Sequence, residues 1–182
     1  MKRRCRGNKG GRFKLSTKKT DPVIGERQSQ LMAVISTKGD PNLVSEKVLS
    51  ALYGSVYTLK FQLKKQGIDF KVGKLIGRWP DAHLVPKDQW TGIWGLQIPP
   101  GTTKLPQKSG DYPVKIEIWE YGTVAEIMHI GPYSEEGPTV ERLHNFIAEN
   151  GYKLTGVHEE EYLTQPTAKV VKTIIRYPVV QA

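Results

Sequence analysis

The stretch VAEIMHIGPYSEEGPTVERLHNFIAENGYKLTGVHEEEYL, residues 124–163, decides how the chain folds. VAEIMHI reads as a strand, GPYSEEGP as a turn, and TVERLHNFIAEN as a helix with an apolar stripe of Val140, Leu143, Phe146 and Ile147. Gly151 stops that helix, because glycine suits a left-handed cap, and YKLTGVHEEEYL continues as a strand. KVVKTIIRYPVV, residues 169–180, reads as the next one. The same order occurs once before. QLMAVIST (30–37) is a strand and GDPN (39–42) a helix start, with Asp40 as cap and Pro41 at the first helical position, where a missing N–H costs nothing. Val48, Leu49, Leu52, Tyr53, Val56, Tyr57, Leu59, Phe61 and Leu63 then recur close to helical spacing up to Gly67. IDFKVGKLIGRW (68–79) and WTGIWGLQI (90–98) read as the two strands that follow. LPQKSGDYP (105–113) and a short strand around KIEIW (115–119) join the two units. A duplicated β-α-β-β unit predicts an α+β fold: two pseudo-symmetric halves of antiparallel sheet, helices on one side, and a central ligand groove.

Composition bounds what such a fold can do. The chain has 182 residues, 38% of them hydrophobic, enough for one domain with a core. Nine of the 27 lysines and arginines fall in residues 1–20, where there is no acid, so the other 18 balance the 18 acids of the rest. The domain is therefore expected at residues 21–182, with half one at about 21–105 and half two at about 112–182, behind a basic, disordered arm at 1–20. A solubilising tail is the simplest role for the arm. A nucleic-acid or protein interaction through it is the second alternative for function, nucleic acid being expected only as a non-specific, salt-sensitive contact. No run of eighteen apolar residues predicts a membrane span, and the basic N-terminus lacks the apolar stretch of a secretory signal. A single cysteine, Cys5, points to a reducing, cytoplasmic setting. His83, His129, His144 and His158 are scattered without ligand spacing, and no phosphate-binding glycine loop or nucleophile elbow is present, so neither metal nor cofactor is expected. The oligomeric state is left open.

The three glutamates of GVHEEEYL, residues 156–163, carry the functional reading. Side chains alternate across a strand, so Glu159 and Glu161 share one face while His158, Glu160 and Tyr162 share the other. Glu159 and Glu161 are assigned with Lys153 to an exposed or edge face with charged neighbours. Glu160 lies nine residues after Gly151, as Ile76 lies nine after Gly67, which makes the two positions equivalents and turns Glu160 inward. A buried carboxylate without a partner costs several kcal/mol, on the order set by polar desolvation. A protein group, a water or a ligand has to satisfy it.

KGDPN (38–42), ALYGSVYTLK (51–60), KVGKLIGRW (71–79), HIGPYSEE (129–136), HEEEYL (158–163) and KTIIRYPV (172–179) together resemble, in order, the motifs of the GyrI-like small-molecule-binding family. The resemblance covers roughly residues 22–180. It implies a fold similar to the effector-binding domain of multidrug-sensing transcription regulators. It also implies an aromatic pocket that takes lipophilic or cationic small molecules onto a central glutamate. Carried over by position, Glu160 falls on that glutamate and Tyr162 on the tyrosine two residues later, with Tyr53, Tyr57, Trp79, Trp94 and Tyr133 as pocket aromatics. Ile76 stands where members commonly have a second glutamate, within Leu75-Ile76-Gly77, and leaves the site more apolar. Some members resemble hydrolases that open the cyclopropane ring of DNA-alkylating natural products. In that alternative Glu160 and Tyr162 would be catalytic, and Ile76 would weaken the case. The main expectation is sensing or sequestration of a drug or toxin.

Overall fold

The structure, a computed structural model, describes residues 20–40, 43, 46–82 and 84–182. The basic stretch at residues 1–19 and the predicted helix start at Pro41 lie outside them. Among the described residues the elements run β1 (Val23–Arg27), β2 (Gln30–Lys38), α1 (Glu46–Lys64), β3 (Ile76–Trp79), β4 (Thr91–Gln97), β5 (Lys115–Trp119), β6 (Gly122–Ile130), α2 (Gly137–Glu149), β7 (Tyr152–Leu154), β8 (His158–Tyr162) and β9 (Lys172–Gln181). Gly67 and Gly151 end the helices at φ 79° and 75°, a region costly for any residue with a Cβ.

The duplicated unit is present, with two differences from the sequence reading. The strand expected across residues 68–79 is confined to β3, and the one across 152–163 is broken into β7 and β8 at Thr155–Val157. The short β1 was not anticipated; it pairs with β6. The antiparallel sheet runs β1-β6-β9-β8-β3-β4-β2-β5, with β7 pairing β9 to one side. The run β6-β9-β8 mirrors β2-β4-β3, so β8 and β3 meet at the centre as equivalents.

Two short connections give this sheet its shape. β1 and β2 are separated only by Gln28 and Ser29, and β5 and β6 only by Glu120 and Tyr121. Yet each pair stands six strand positions apart in the sheet. Laid flat, six spacings would span about 29 Å, whereas such links reach only about 10 Å. The sheet therefore rolls into a half-barrel, bringing its two ends together.

The register assigns every side chain to the inside or outside of that roll. Ile127, Ile175, Glu160, Gly77, Trp94 and Ile35 form one continuous cross-strand row. They lie on the outer face, where α1 packs Val48, Leu52 and Val56 into one cluster with Ile35 and Trp94, and α2 packs Leu143 and Ile147 against Ile127 and Ile175. The inner face carries Met32, Val34, Ile76 and Trp119. Gly95 lies on this inner face opposite Ile76, and a Cβ there would come within 2.6 Å of the Trp119 ring. Gly95→Ala is expected to lose about 1–3 kcal/mol through overpacking, read as a lower denaturation midpoint with unchanged m-value.

Inside the roll lies a charged ladder. Glu126, Arg176, Glu159 and Arg78 stand opposite one another on β6, β9, β8 and β3. Arg176 Nε donates to Glu126 Oε2 at 2.8 Å, Arg176 Nη1 to Glu159 Oε1 at 2.5 Å, and Arg78 Nε to Glu159 Oε2 at 2.8 Å. Glu161 takes Arg176 Nη2 at 3.1 Å and lies 3.7 Å from Arg27. The Arg78 guanidinium sits 3.9 Å above the centre of the Trp119 ring, a favourable cation–π placement. Burial pushes the neighbouring Tyr121 phenol up to about 12, with the Glu159 charge adding to the effect. The exposed face expected for Glu159 is thus corrected: Glu159 is 2% exposed. Its strand is central, the roll encloses its inner side, and two arginines neutralise it.

Candidate functional site

On the outer face of β8, alternation presents His158, Glu160 and Tyr162 to the space between the two helices. Glu160 is 7% exposed. Its carboxylate can only accept, so the 2.9 Å contact between Glu160 Oε1 and His158 Nε2 is a bond donated by the imidazole. Nδ1 then accepts from the Tyr177 hydroxyl, 2.6 Å away on β9. The His158 ring packs on Tyr177 at 5.2 Å and Tyr177 on His144 of α2 at 4.8 Å, both edge-on. Burial, and then the carboxylates of Glu136 and Glu160, raise the Tyr177 phenol.

Aromatic rings gather beside the carboxylate, with the Tyr162 and Tyr133 phenols nearest to its charge. Trp94 stacks on Tyr162 at 6.0 Å, and Tyr133 meets Tyr162 edge-on at 5.6 Å. Trp79 stands edge-on to Trp94 at 5.1 Å and touches Trp90 at 5.8 Å. Trp94 Nε1 is held by Thr37 Oγ1 at 3.0 Å. Gly77 makes this arrangement possible, since a Cβ there would lie 2.9 Å from the Tyr162 hydroxyl oxygen. Burial and then the Glu160 charge push the Tyr162 phenol well above its ordinary value, and the same two causes raise Tyr133.

The sequence reading placed the residues unevenly. Glu160, Tyr162, Trp79, Trp94 and Tyr133 are brought together, and Trp90 joins them. Tyr53 and Tyr57 are not joined to them by ring contacts among the described residues: they stack on each other at 6.4 Å, and Tyr57 continues to Phe61 along the partly exposed surface of α1. Ile76 is a correction. It pairs with Glu161, while Gly77 pairs with Glu160. The first half has ten residues from Gly67 to Gly77 where the second has nine from Gly151 to Glu160, and one extra residue moves a strand position to the opposite face. Ile76 therefore fills the inside of the roll and takes no charge away from the site.

A second carboxylate comes from elsewhere. Glu136 follows the 3-10 turn Tyr133–Glu135 and stands at the first position before α2, where its side chain makes no capping bond to the helix. One of its oxygens lies within 4.8 Å of a His158 nitrogen and a Glu160 oxygen, which themselves meet. Burial, then the Glu160 charge, push its carboxyl up to about 7, against the opposing pull of His158 and Lys87. Sequence reasoning missed Glu136 because GPYSEEGP, residues 131–138, was read only as a turn; only the fold brings position 136 beside position 160. The expectation of no metal-type cluster was likewise drawn from histidine spacing, and the donor set here is one histidine and two glutamates.

The raised carboxyl carries a pH dependence whose sign is fixed. Its unfolded value is lower, so the folded state holds the proton more tightly and loses stability as pH climbs from about 4.5 through about 7. In metal-free buffer, Glu136→Gln should melt close to wild type at pH 5 and higher than wild type at pH 8. Equal melting temperatures at both values would contradict it.

The comparisons with known proteins follow the same outline. The model of the GyrI-like small molecule binding domain matches residues 20–179. A hydrolase from Listeria innocua is similar in structure with a TM-score of 0.77 and 26% identity, over 92% of this chain and 95% of that one. An uncharacterized conserved protein from Listeria innocua gives 0.76 and 27%, over 90% and 94%. The EcmrR C-terminal domain, at 0.61 and 12% over 89% and 98%, shares the fold. No match emerges among curated proteins. With the family model spanning nearly the whole described structure, on a rolled sheet of two mirrored units, the chain belongs to the GyrI-like small molecule binding domain family.

Proposed function

We propose that the protein binds a lipophilic organic cation, with its charge on Glu160 and its flat or aryl surface against Trp94, Tyr133 and Tyr162. The carrying observation is a carboxylate 7% exposed that is held by His158 and lies beside the Tyr162 and Tyr133 phenols, with Trp94 stacked on Tyr162. Aromatic faces attract a cation by about 0.5–2 kcal/mol each, more when water is excluded. Tyr53 and Tyr57 would belong to the approach along α1 rather than to the floor. Binding without turnover makes this a sensing or sequestering domain, and the single cysteine supports a reducing, cytoplasmic setting. Titration with tetraphenylphosphonium and related aryl cations, followed by tryptophan fluorescence and melting temperature, tests the reading. Saturable quenching with stabilisation is expected; a panel with neither effect overturns it.

A second reading, hydrolysis of a cyclopropane-bearing alkylator, is favoured by the Glu136–Glu160 pair and by the likeness to a Listeria innocua hydrolase. Glu160 would take a proton from water as its oxygen bonds to the ring carbon. The breaking carbon–carbon bond would send its electron pair to the conjugated carbonyl oxygen, which takes a proton from Glu136. Glu136 suits this role better than Tyr162, whose phenol holds its proton too tightly. Ring-opened product by mass spectrometry, above the buffer rate and lost in Glu160→Gln, is the expected result. Absence of turnover removes this reading and leaves binding intact.

A further inference from the structure

Glu136, His158 and Glu160 bring one imidazole and two carboxylate donors within 4.8 Å of one another at the base of the aromatic site. We propose that these three side chains form a binding site for a divalent first-row transition ion of the zinc type, with the remaining coordination positions turned toward Tyr133 and Tyr162.

Three separate observations carry this. The first is the donor set. Mixed imidazole and carboxylate ligands suit zinc and cobalt, whereas magnesium and calcium take oxygen alone. Metal–ligand distances of about 2.0–2.2 Å need only small side-chain rotations from the spacing present. The second is an orphan: Glu136 Oε2 is buried and accepts no hydrogen bond among the described residues. A carboxylate oxygen so placed, beside a second carboxylate, calls for a cation. His144 Nε2, buried and unpaired in the same sense, belongs to the ring that packs on Tyr177. The third is the support behind the histidine. Tyr177 meets His158 Nδ1 at 2.6 Å and fixes the ring plane, as outer-shell partners do for metal-binding imidazoles.

Binding needs one internal rearrangement. His158 Nε2 gives up its hydrogen to bind the ion, the ring takes the tautomer with hydrogen on Nδ1, and Nδ1–H then donates to the Tyr177 oxygen. Solvent carries the proton from one ring nitrogen to the other, so the ring stays neutral throughout. The ion would occupy the place proposed for the positive charge of an organic ligand, so the two should compete.

Zinc chloride titrated alone into the full chain by calorimetry, with cobalt(II) absorption as a second readout, tests the site. One saturable equivalent is expected, with a visible cobalt band of a nitrogen- and oxygen-ligated ion, and no heat from magnesium. Glu136→Gln and His158→Ala should each weaken zinc by at least about tenfold, and Tyr177→Phe by about tenfold. Should His158→Ala fail to fold, Glu136→Gln decides, because its turn lies outside the core. Absence of saturable zinc binding, or binding unchanged in Glu136→Gln, overturns the proposal. Because zinc is titrated without any organic ligand, its failure leaves the aryl-cation reading standing, and quenching failure with aryl cations leaves the zinc site standing.

Discussion

Replacing Arg176 by leucine is expected to lower the melting temperature by roughly 6–20 °C, from a loss of about 3–5 kcal/mol. Arg176 is 1% exposed and holds three carboxylates, Glu126, Glu159 and Glu161. Its removal leaves Glu159, 2% exposed, with Arg78 alone, and Glu126 with no arginine among the described residues. The charge pairs themselves contribute little net stability, because desolvation offsets most of their attraction; the cost arises from breaking the set. Hence a second expectation for the same position. Pairing Arg176→Leu with Glu159→Leu should recover part of the loss, whereas additive losses would show that packing rather than charge governs the ladder. A change below about 1 kcal/mol in denaturant midpoint for the single variant would contradict the whole account.

Glu160→Gln is expected to weaken aryl-cation binding by roughly 30-fold to 1000-fold, the range for removing one partner of a desolvated charge pair. Glutamine keeps the shape and can still accept from His158, so the fold should hold. What disappears is the charge, on a side chain that is only 7% exposed. The comparison that decides is a neutral aryl ligand of the same size. Its affinity should change little between wild type and variant, and an equal loss for both would mean that Glu160 shapes the site and does not attract the charge.

The repeat made the fold legible, because both helices carry a regular apolar stripe and both end on a glycine forced to positive φ. Glu160 was legible for a related reason: strand alternation separates it from Glu159 and Glu161 whatever the surroundings. The choice of which face would be wet was not. Nothing near HEEEYL announces that Arg78, 81 residues from Glu159, and Arg176, 17 residues away, will neutralise it. Ile76 failed through a single residue of extra loop, invisible to a count that assumed equal spacing in the two halves. Glu136 was missed because its partners His158 and Glu160 lie beyond a whole helix in the chain, and the stripe of α1 carries Tyr57 onto exposed surface beside Phe61.

The two-residue ties at both ends of the sheet also limit how a guest can enter. Halves fastened at both rims cannot swing apart like a clamshell, so at the site proposed above admission is expected through the turning of Tyr133 and Tyr162 about their own bonds. Uptake should then keep the pace of ring rotation instead of the microsecond-to-millisecond pace of hinged lobes, and stiffening the backbone of either tie should leave the rate of entry untouched.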